Sequence, residues 1–250
     1  MIPWLEPNDP LPATVQALGP DSDAPGLLAA GRDLSPARLK EAYRQGIFPW
    51  FSEGQPVLWW TTNPRMVLPV AEFKLNRSLR KTIQKFRCTP GCEVRVDTAF
   101  TQVMAACASV RRTGQSGTWI SPDMRKAYAQ WHEEGSVHSF ETWVDGQLAG
   151  GLYGVCLGRM FFGESMFAYQ TDASKIALAA LVCFCRGRDI ALIDCQQEAR
   201  HLASLGARPW HREAFEAHVR STVDLPLAGT WTYHDSDWSQ LNTTHIGTAT

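Results

Sequence analysis

The chain has 250 residues, of which 44% are hydrophobic, 20% charged and 10% aromatic, with a formal net charge of -1. This excludes a mainly disordered chain, and the length suits one or two domains whose cores bury roughly 70–75% of the unfolded surface. The longest apolar-leaning run, Ile176 to Cys185, is far shorter than the ~20 residues a bilayer requires. No basic stretch followed by an apolar run opens the chain, so a cytoplasmic protein is expected.

Residues 1–25 are rich in Pro, Asp and Ala without periodicity and read as a loosely ordered lead-in. Ser35-Pro36 offers an N-cap and a proline at the first helical position, predicting a helix through Ala42 that Gly46 ends. GIFPWF, VLWW and TTNPRMVL follow, aromatic and broken by prolines. They predict a small first domain over residues 1–63, with a second over 64–250. There, a cationic helix is expected over 76–87, a strand over Glu93–Val96 and a helix over 98–109. A glycine-bearing loop, Arg112–Gly117, leads to Thr118-Trp119-Ile120. Ser121-Pro122 caps a further helix that Gly135 ends.

Val137–Val144 alternates, Asp145-Gly146 is a hairpin signal, and Gln147–Val155 returns. Leu157-Gly158 turns into Arg159–Phe167, completing an antiparallel meander. Asp172 opens a helix, ASKIALAALVCFC, that is apolar almost all round and so buried. A short buried strand, Ile190–Asp194, and helices near 198–205 and 212–220 follow. The tail beyond Gly229 is polar, with isolated Trp231, Tyr233 and Trp238, and its pattern predicts no position. The class is α/β of the mixed α+β kind. A dinucleotide fold is disfavoured, because the 112–117 glycines precede TWI rather than a helix.

Seven cysteines cannot all pair, and most sit in apolar surroundings, as reduced small hydrophobes do. Cys88 and Cys92 lack a second Cys or His pair at zinc spacing, so no metal is expected. Charge is uneven. Residues 74–87 carry Lys74, Arg77, Arg80, Lys81, Lys85 and Arg87 and no acid, whereas 221–250 contain no lysine or arginine. Such a segment suits either a polyanion or a solvated helix face.

Three clusters could carry chemistry. Glu164, in FFGESMF, lies between Phe162 and Met166, where a carboxylate must be paired or functional because desolvating it alone is costly. Asp194 and Gln196 end an apolar strand and, two apart, would share a face, offering acceptors and an amide donor to an amine. The alternative is an aspartate capping a helix that begins near Gln197. Among Phe48, Trp50, Phe51, Trp59, Trp60 and Trp119, several belong to the core. Trp50 and Trp119 lie in loop-like contexts and could stack on a base. Ser139 sits on a strand, with no nucleophile elbow. His132 and His138 straddle a helix–strand break, which disfavours a metal pair, and His201 reads as a helix-surface residue.

GIFPWF, WWTTNPRMVL, GTWI, HSFETWVDGQLAGGLYG, FFGESMF, ASKIALAAL, LIDCQ and HLASLGA occur in an order that resembles the bacterial leucyl/phenylalanyl-tRNA–protein transferases over about residues 26–217. The resemblance implies transfer of Leu, Phe or Met from aminoacyl-tRNA to the N-terminal Arg or Lys of a protein, marking it for degradation. It implies a small N-terminal domain plus a GNAT-like acyltransferase C-terminal domain in which tRNA replaces CoA. It also places Glu164, Asp194 and Gln196 at polar active-site positions, and Trp50 and Trp119 against the terminal adenosine. Leu152, Phe161 and Met166 would hold the amino-acid side chain. The helix bearing Arg77, Arg80, Lys81 and Lys85 would lie beside the acceptor stem. One departure stands out: Ala199 occupies a position where the family carries Asn.

The aminoacyl ester is already activated, so no cofactor or metal is expected. Asp194 and Gln196 would hold and polarise the incoming α-amine, and Glu164 would attract the acceptor's cationic residue. The proton could pass to Asp194, Gln196 or a tRNA hydroxyl. A monomer is expected, with no membrane partner. An RNA-binding module without chemistry and an acyl-CoA-dependent acetyltransferase are the rival readings.

Overall fold

The computed structural model describes residues 2–110 and 118–242; the Arg112–Gly117 loop lies outside the described residues. The chain opens with β1 (Trp4–Leu5) and β2 (Leu27–Gly31), then α1 (Pro36–Tyr43), β3 (Phe48–Pro49) and β4 (Val57–Trp60). These strands form a four-stranded sheet in the order β1-β2-β4-β3. Ser35 accepts from the Arg38 amide, the cap its Ser-Pro pair predicts. The expectation of a loose lead-in is corrected. Trp4 and Leu5 pair with Ala30 and Gly31, and Arg38 Nη2 donates to the carbonyls of Pro7 (2.6 Å) and Asp9 (2.8 Å). Neither a two-residue strand nor a contact about thirty residues away in sequence has a local pattern to read.

The second part begins with β5 (Arg65–Pro69), α2 (Arg77–Cys88), β6 (Cys92–Val96) and α3 (Phe100–Ser109). It continues through α4 (Pro122–Glu133), β7 (Val137–Val144), β8 (Gln147–Leu157) and β9 (Met160–Ala168). The last elements are α5 (Ala173–Arg186), β10 (Leu192–Gln196), α6 (Arg200–Ser204), β11 (Arg208–Trp210) and α7 (Arg212–Thr222). The seven-stranded sheet runs β11-β5-β10-β9-β8-β7-β6. The Asp145-Gly146 turn has positive φ at both residues, 50° and 72°, which is the twist a tight hairpin requires. Strand β11 has no counterpart in the sequence reading, because its three residues include a proline and show no alternation.

Alternation along the central strands feeds two apolar cores. Tyr153, Val155 and Phe162 enter one with α1, α3, α4 and the small sheet. Leu152, Cys156 and Phe161 enter the other with α2 and α5. The tail joins the second core. Trp231 stacks on His138 at 3.4 Å and on Phe184 at 4.7 Å between centroids, and Trp238 is buried.

Two neighbouring strand ends are irregular. On β9, Tyr153 pairs with Ser165 and Gly154 with Gly163, leaving Glu164 as an extra residue. On β10, Asp194 pairs with Val67 and Gln196 with Met66, leaving Cys195 extra. The parallel β9–β10 ladder holds only Phe161↔Ile193 and Phe162↔Asp194. Both bulges lie just beyond its last rung, and bulges bend strands and re-aim side chains. Gly154 is required here: a Cβ at that position would meet the Phe161 ring at 2.5 Å.

Candidate active site

Where β9 and β10 part, a cleft of about 540 Å³ opens. One part of its wall is apolar, from Leu152, Met166, Leu178, Leu181, Ile193 and Leu202; elsewhere Trp50, Trp119, Glu164, Asp194, Gln196 and Glu198 line it. The bulge turns Glu164 toward α1 and α4. Its Oε1 accepts from the Tyr43 hydroxyl at 2.6 Å and from Gln196 Nε2 at 3.0 Å, and its Oε2 lies 3.5 Å from the Tyr128 hydroxyl. The two hydroxyls are 2.6 Å apart. Burial pushes the Glu164 carboxyl up to about 7, assisted by nearby Asp194 and opposed by the hydrogen bonds from Tyr43 and Gln196 and by Arg65. Burial, then the charge of Glu164, holds the Tyr43 and Tyr128 phenols well above their usual range, so both are donors at neutral pH.

Asp194 is fully buried. Arg65 Nε donates to its Oδ1 at 2.8 Å and Arg65 Nη2 to its Oδ2 at 2.6 Å, and the backbone amide of Gln196 donates to Oδ1 at 2.9 Å. The guanidinium lies between the rings of Phe48 and Phe215, 4.6 Å from each centroid, and also donates to the Gly46 carbonyl at 3.0 Å. The expectation that Asp194 and Gln196 project together from a regular strand is corrected, because register slips between them and Gln196 adopts φ 59°. Asp194 instead fixes the backbone from which Gln196 reaches Glu164. The capping alternative also falls, since α6 begins at Arg200 with no side-chain cap.

Trp50 and Trp119, with Leu152 and Met166, line the cleft, as does Ala199. Phe161 does not; it is fully buried against Gly154 and the tail. Phe51 and Trp59 belong to the core, and Trp60 donates to the Trp50 carbonyl at 2.7 Å. On α2 the residues Leu79, Ile83 and Phe86 are buried, while Arg77, Arg80, Lys81 and Lys85 are exposed. This segment starts beside the cleft: the Lys74 amide donates to the Leu205 carbonyl at 2.8 Å, at the end of α6. Cys88 is exposed and Cys92 and Cys195 part-buried, the other cysteines being buried. Ser139 donates to the buried Glu141 at 2.8 Å, and His138 bonds Asp97 at 2.7 Å.

Sequence reasoning missed Tyr43, Tyr128 and Arg65. A tyrosine on an amphipathic helix reads as core, and only its partner, distant in sequence, reveals a role. Arg65 carried a weak signal, a charge opening the otherwise apolar run RMVLP.

A titratable acid and an anchored amide at the edge of an apolar recess define a site built to bind and react, not a structural core. A family model described as leucyl/phenylalanyl-tRNA protein transferase matches residues 67–220, and one for the N-terminal domain of the same proteins matches residues 32–63. The chain belongs to this family. It is 64% identical over 242 residues to the leucyl/phenylalanyl-tRNA–protein transferase of Methylibium petroleiphilum, covering 96% of this chain and 91% of the relative. It is 63% identical to that of Leptothrix cholodnii over 245 residues, 96% and 95% of the two chains. With that of Cupriavidus metallidurans it shares 57% over 249 residues, 98% and 100%. Among the described residues no helix is long and apolar enough to cross a membrane.

Proposed function

We propose that this chain is a cytoplasmic, monomeric aminoacyltransferase that moves Leu, Phe or Met from aminoacyl-tRNA to the N-terminal Arg or Lys of an acceptor protein. The observation that carries the reading is the adjacency, in one cleft of a chain of this family, of an apolar recess and an acid–amide pair. The chain divides at residues 63 and 64 into a small N-terminal domain and a GNAT-like catalytic domain. In support, the small sheet ends at Trp60 and the large one starts at Arg65.

In this reading the terminal adenosine stacks against Trp50 and Trp119. The aminoacyl side chain enters the recess of Leu152, Met166, Leu178, Leu181 and Leu202, with Phe161 behind it. Such a recess separates Leu, Met and Phe weakly, because a methylene is worth ~1–3 kcal/mol. The exposed cations Arg77, Arg80, Lys81 and Lys85 meet the acceptor-stem phosphates. Gln196 spends its amide N–H on Glu164, which leaves its amide oxygen to accept from the incoming amine. That nitrogen attacks the ester carbonyl carbon, the C–N bond forms, and the C–O bond to the ribose breaks. Glu164, with a carboxyl near neutrality, takes the amine proton, and the leaving ribose oxygen regains one. Asp194, neutralised by Arg65, is a positioning residue.

The test is transfer of labelled leucine from Leu-tRNA to an Arg-initiated peptide, with Ile-charged tRNA as control. Product from the Leu donor and little from the β-branched one is expected. Salt-sensitive tRNA binding without product would make the chain an RNA-binding module, and tight CoA binding would make it an acetyltransferase.

A further inference from the structure

Resting on the proposed function, we infer that Glu198 is the carboxylate that receives the guanidinium or ammonium group of the acceptor's first side chain. A cationic residue entering this cleft needs an accessible negative charge. The carboxylates that line it are Glu164, Asp194 and Glu198, and its described lining contains no lysine or arginine. The sequence alone suggests Glu164 for this role, but that carboxylate is buried, accepts from Tyr43 and Gln196, and in the proposed reaction takes the amine proton, which removes the fixed negative charge a side-chain cation needs. Asp194 is closed off by the bidentate grip of Arg65. Glu198 differs from both: it is exposed, and its carboxylate has no ion-pair or hydrogen-bond partner among the described residues.

The backbone brings Glu198 to this position. Thr62 Oγ1 donates to the Gln196 carbonyl at 3.1 Å, and the Gln197 amide folds back onto the Cys195 carbonyl at 2.7 Å. The chain thus leaves the sheet at Gln196 and runs through Gln197, Glu198 and Ala199 along the cleft before α6 begins. Spacing matches the acceptor. Residues 196 and 198 are separated by at most ~7 Å, close to the ~6 Å reach of a lysine stem from α-carbon to ammonium. An α-amine held at Gln196 therefore has its side-chain cation within reach of Glu198.

The experiment uses the full chain, Leu-tRNA, and two peptides differing only in the first residue: lysine, and norleucine as an uncharged counterpart of similar shape. Wild type and E198Q are compared. With the lysine peptide, E198Q is expected to raise the peptide KM about tenfold, with kcat within about twofold and the KM for Leu-tRNA unchanged. With the norleucine peptide the two proteins should behave alike. An unchanged KM for the lysine peptide in E198Q, or an equal loss on both peptides, overturns the assignment of Glu198. Wild type that transfers to neither peptide instead removes the transferase reading on which it rests.

Discussion

Arg65 grips Asp194 with two parallel hydrogen bonds, Nε to Oδ1 at 2.8 Å and Nη2 to Oδ2 at 2.6 Å, where neither side chain reaches solvent. Bidentate charge-assisted pairs are the strong ones, and a buried pair that loses one member leaves the other uncompensated. The pair therefore sets the end of β10, and through it the position of Gln196.

The first prediction concerns this pair. Asp194→Ala should cost ~3–5 kcal/mol of stability in urea unfolding and nearly abolish transfer while tRNA binding survives. Adding Arg65→Met should restore much of the stability without restoring transfer. Wild-type transfer rates in Asp194→Ala would show that the anchored amide is dispensable.

A second prediction rests on Glu164. Its carboxyl is raised from 4.5 to about 7 in the folded chain, so the folded state holds a proton that the unfolded state releases. The stabilising contribution is complete below the unfolded value and is lost as pH rises through 7, amounting to about 3 kcal/mol in all. Glu164→Gln should remove that slope, so urea unfolding at pH 5 and pH 8 should differ less in the variant. If Glu164 takes the amine proton, kcat of the wild type rises with pH through an apparent value near 7, and the variant's kcat is low and flat.

The cationic helix gives a third. Arg80→Glu with Lys81→Glu alters only the exposed face of α2, whose buried side is Leu79, Ile83 and Phe86. Folding should hold, tRNA affinity should fall, and the slope of log K against log salt should shrink by about two units. Unchanged affinity would move the RNA surface elsewhere.

Aromatic stacking gives a fourth. Trp119→Ala should raise the KM for aminoacyl-tRNA by about 5- to 150-fold, since a base–aromatic stack is worth ~1–3 kcal/mol, while peptide KM stays near wild type. An effect confined to peptide KM would place the adenosine elsewhere.

Elements governed by local chemistry are legible in the sequence. The Ser-Pro caps at Ser35 and Ser121, the Asp145-Gly146 turn and the apolar α5 each carry their signal within a few residues. What escaped was decided at a distance. Arg65 meets Asp194 across 129 residues of chain, and Tyr43 meets Glu164 across 121. The tail aromatics find partners on β7 and α5 that no window of sequence contains. Glu164, Asp194, Gln196, Trp50 and Trp119, each singled out from sequence, line one cleft. Their contacts with one another were not legible, because alternation assumes a regular strand and both β9 and β10 break it at the cleft.

Tyr43 stands on the helix of the small front portion, yet its hydroxyl closes on the acid of the large one at 2.6 Å. A fragment starting after Pro64 would keep the acid and the amide in its sequence, but would lose this donor together with the Thr62 hydroxyl on the Gln196 carbonyl, Phe48 against the Arg65 guanidinium and Trp50 from the cleft wall. Trimming the protein from its front end thus discharges the cleft and loosens it together, so the leading segment belongs to the electrostatics of the site as well as to its scaffold.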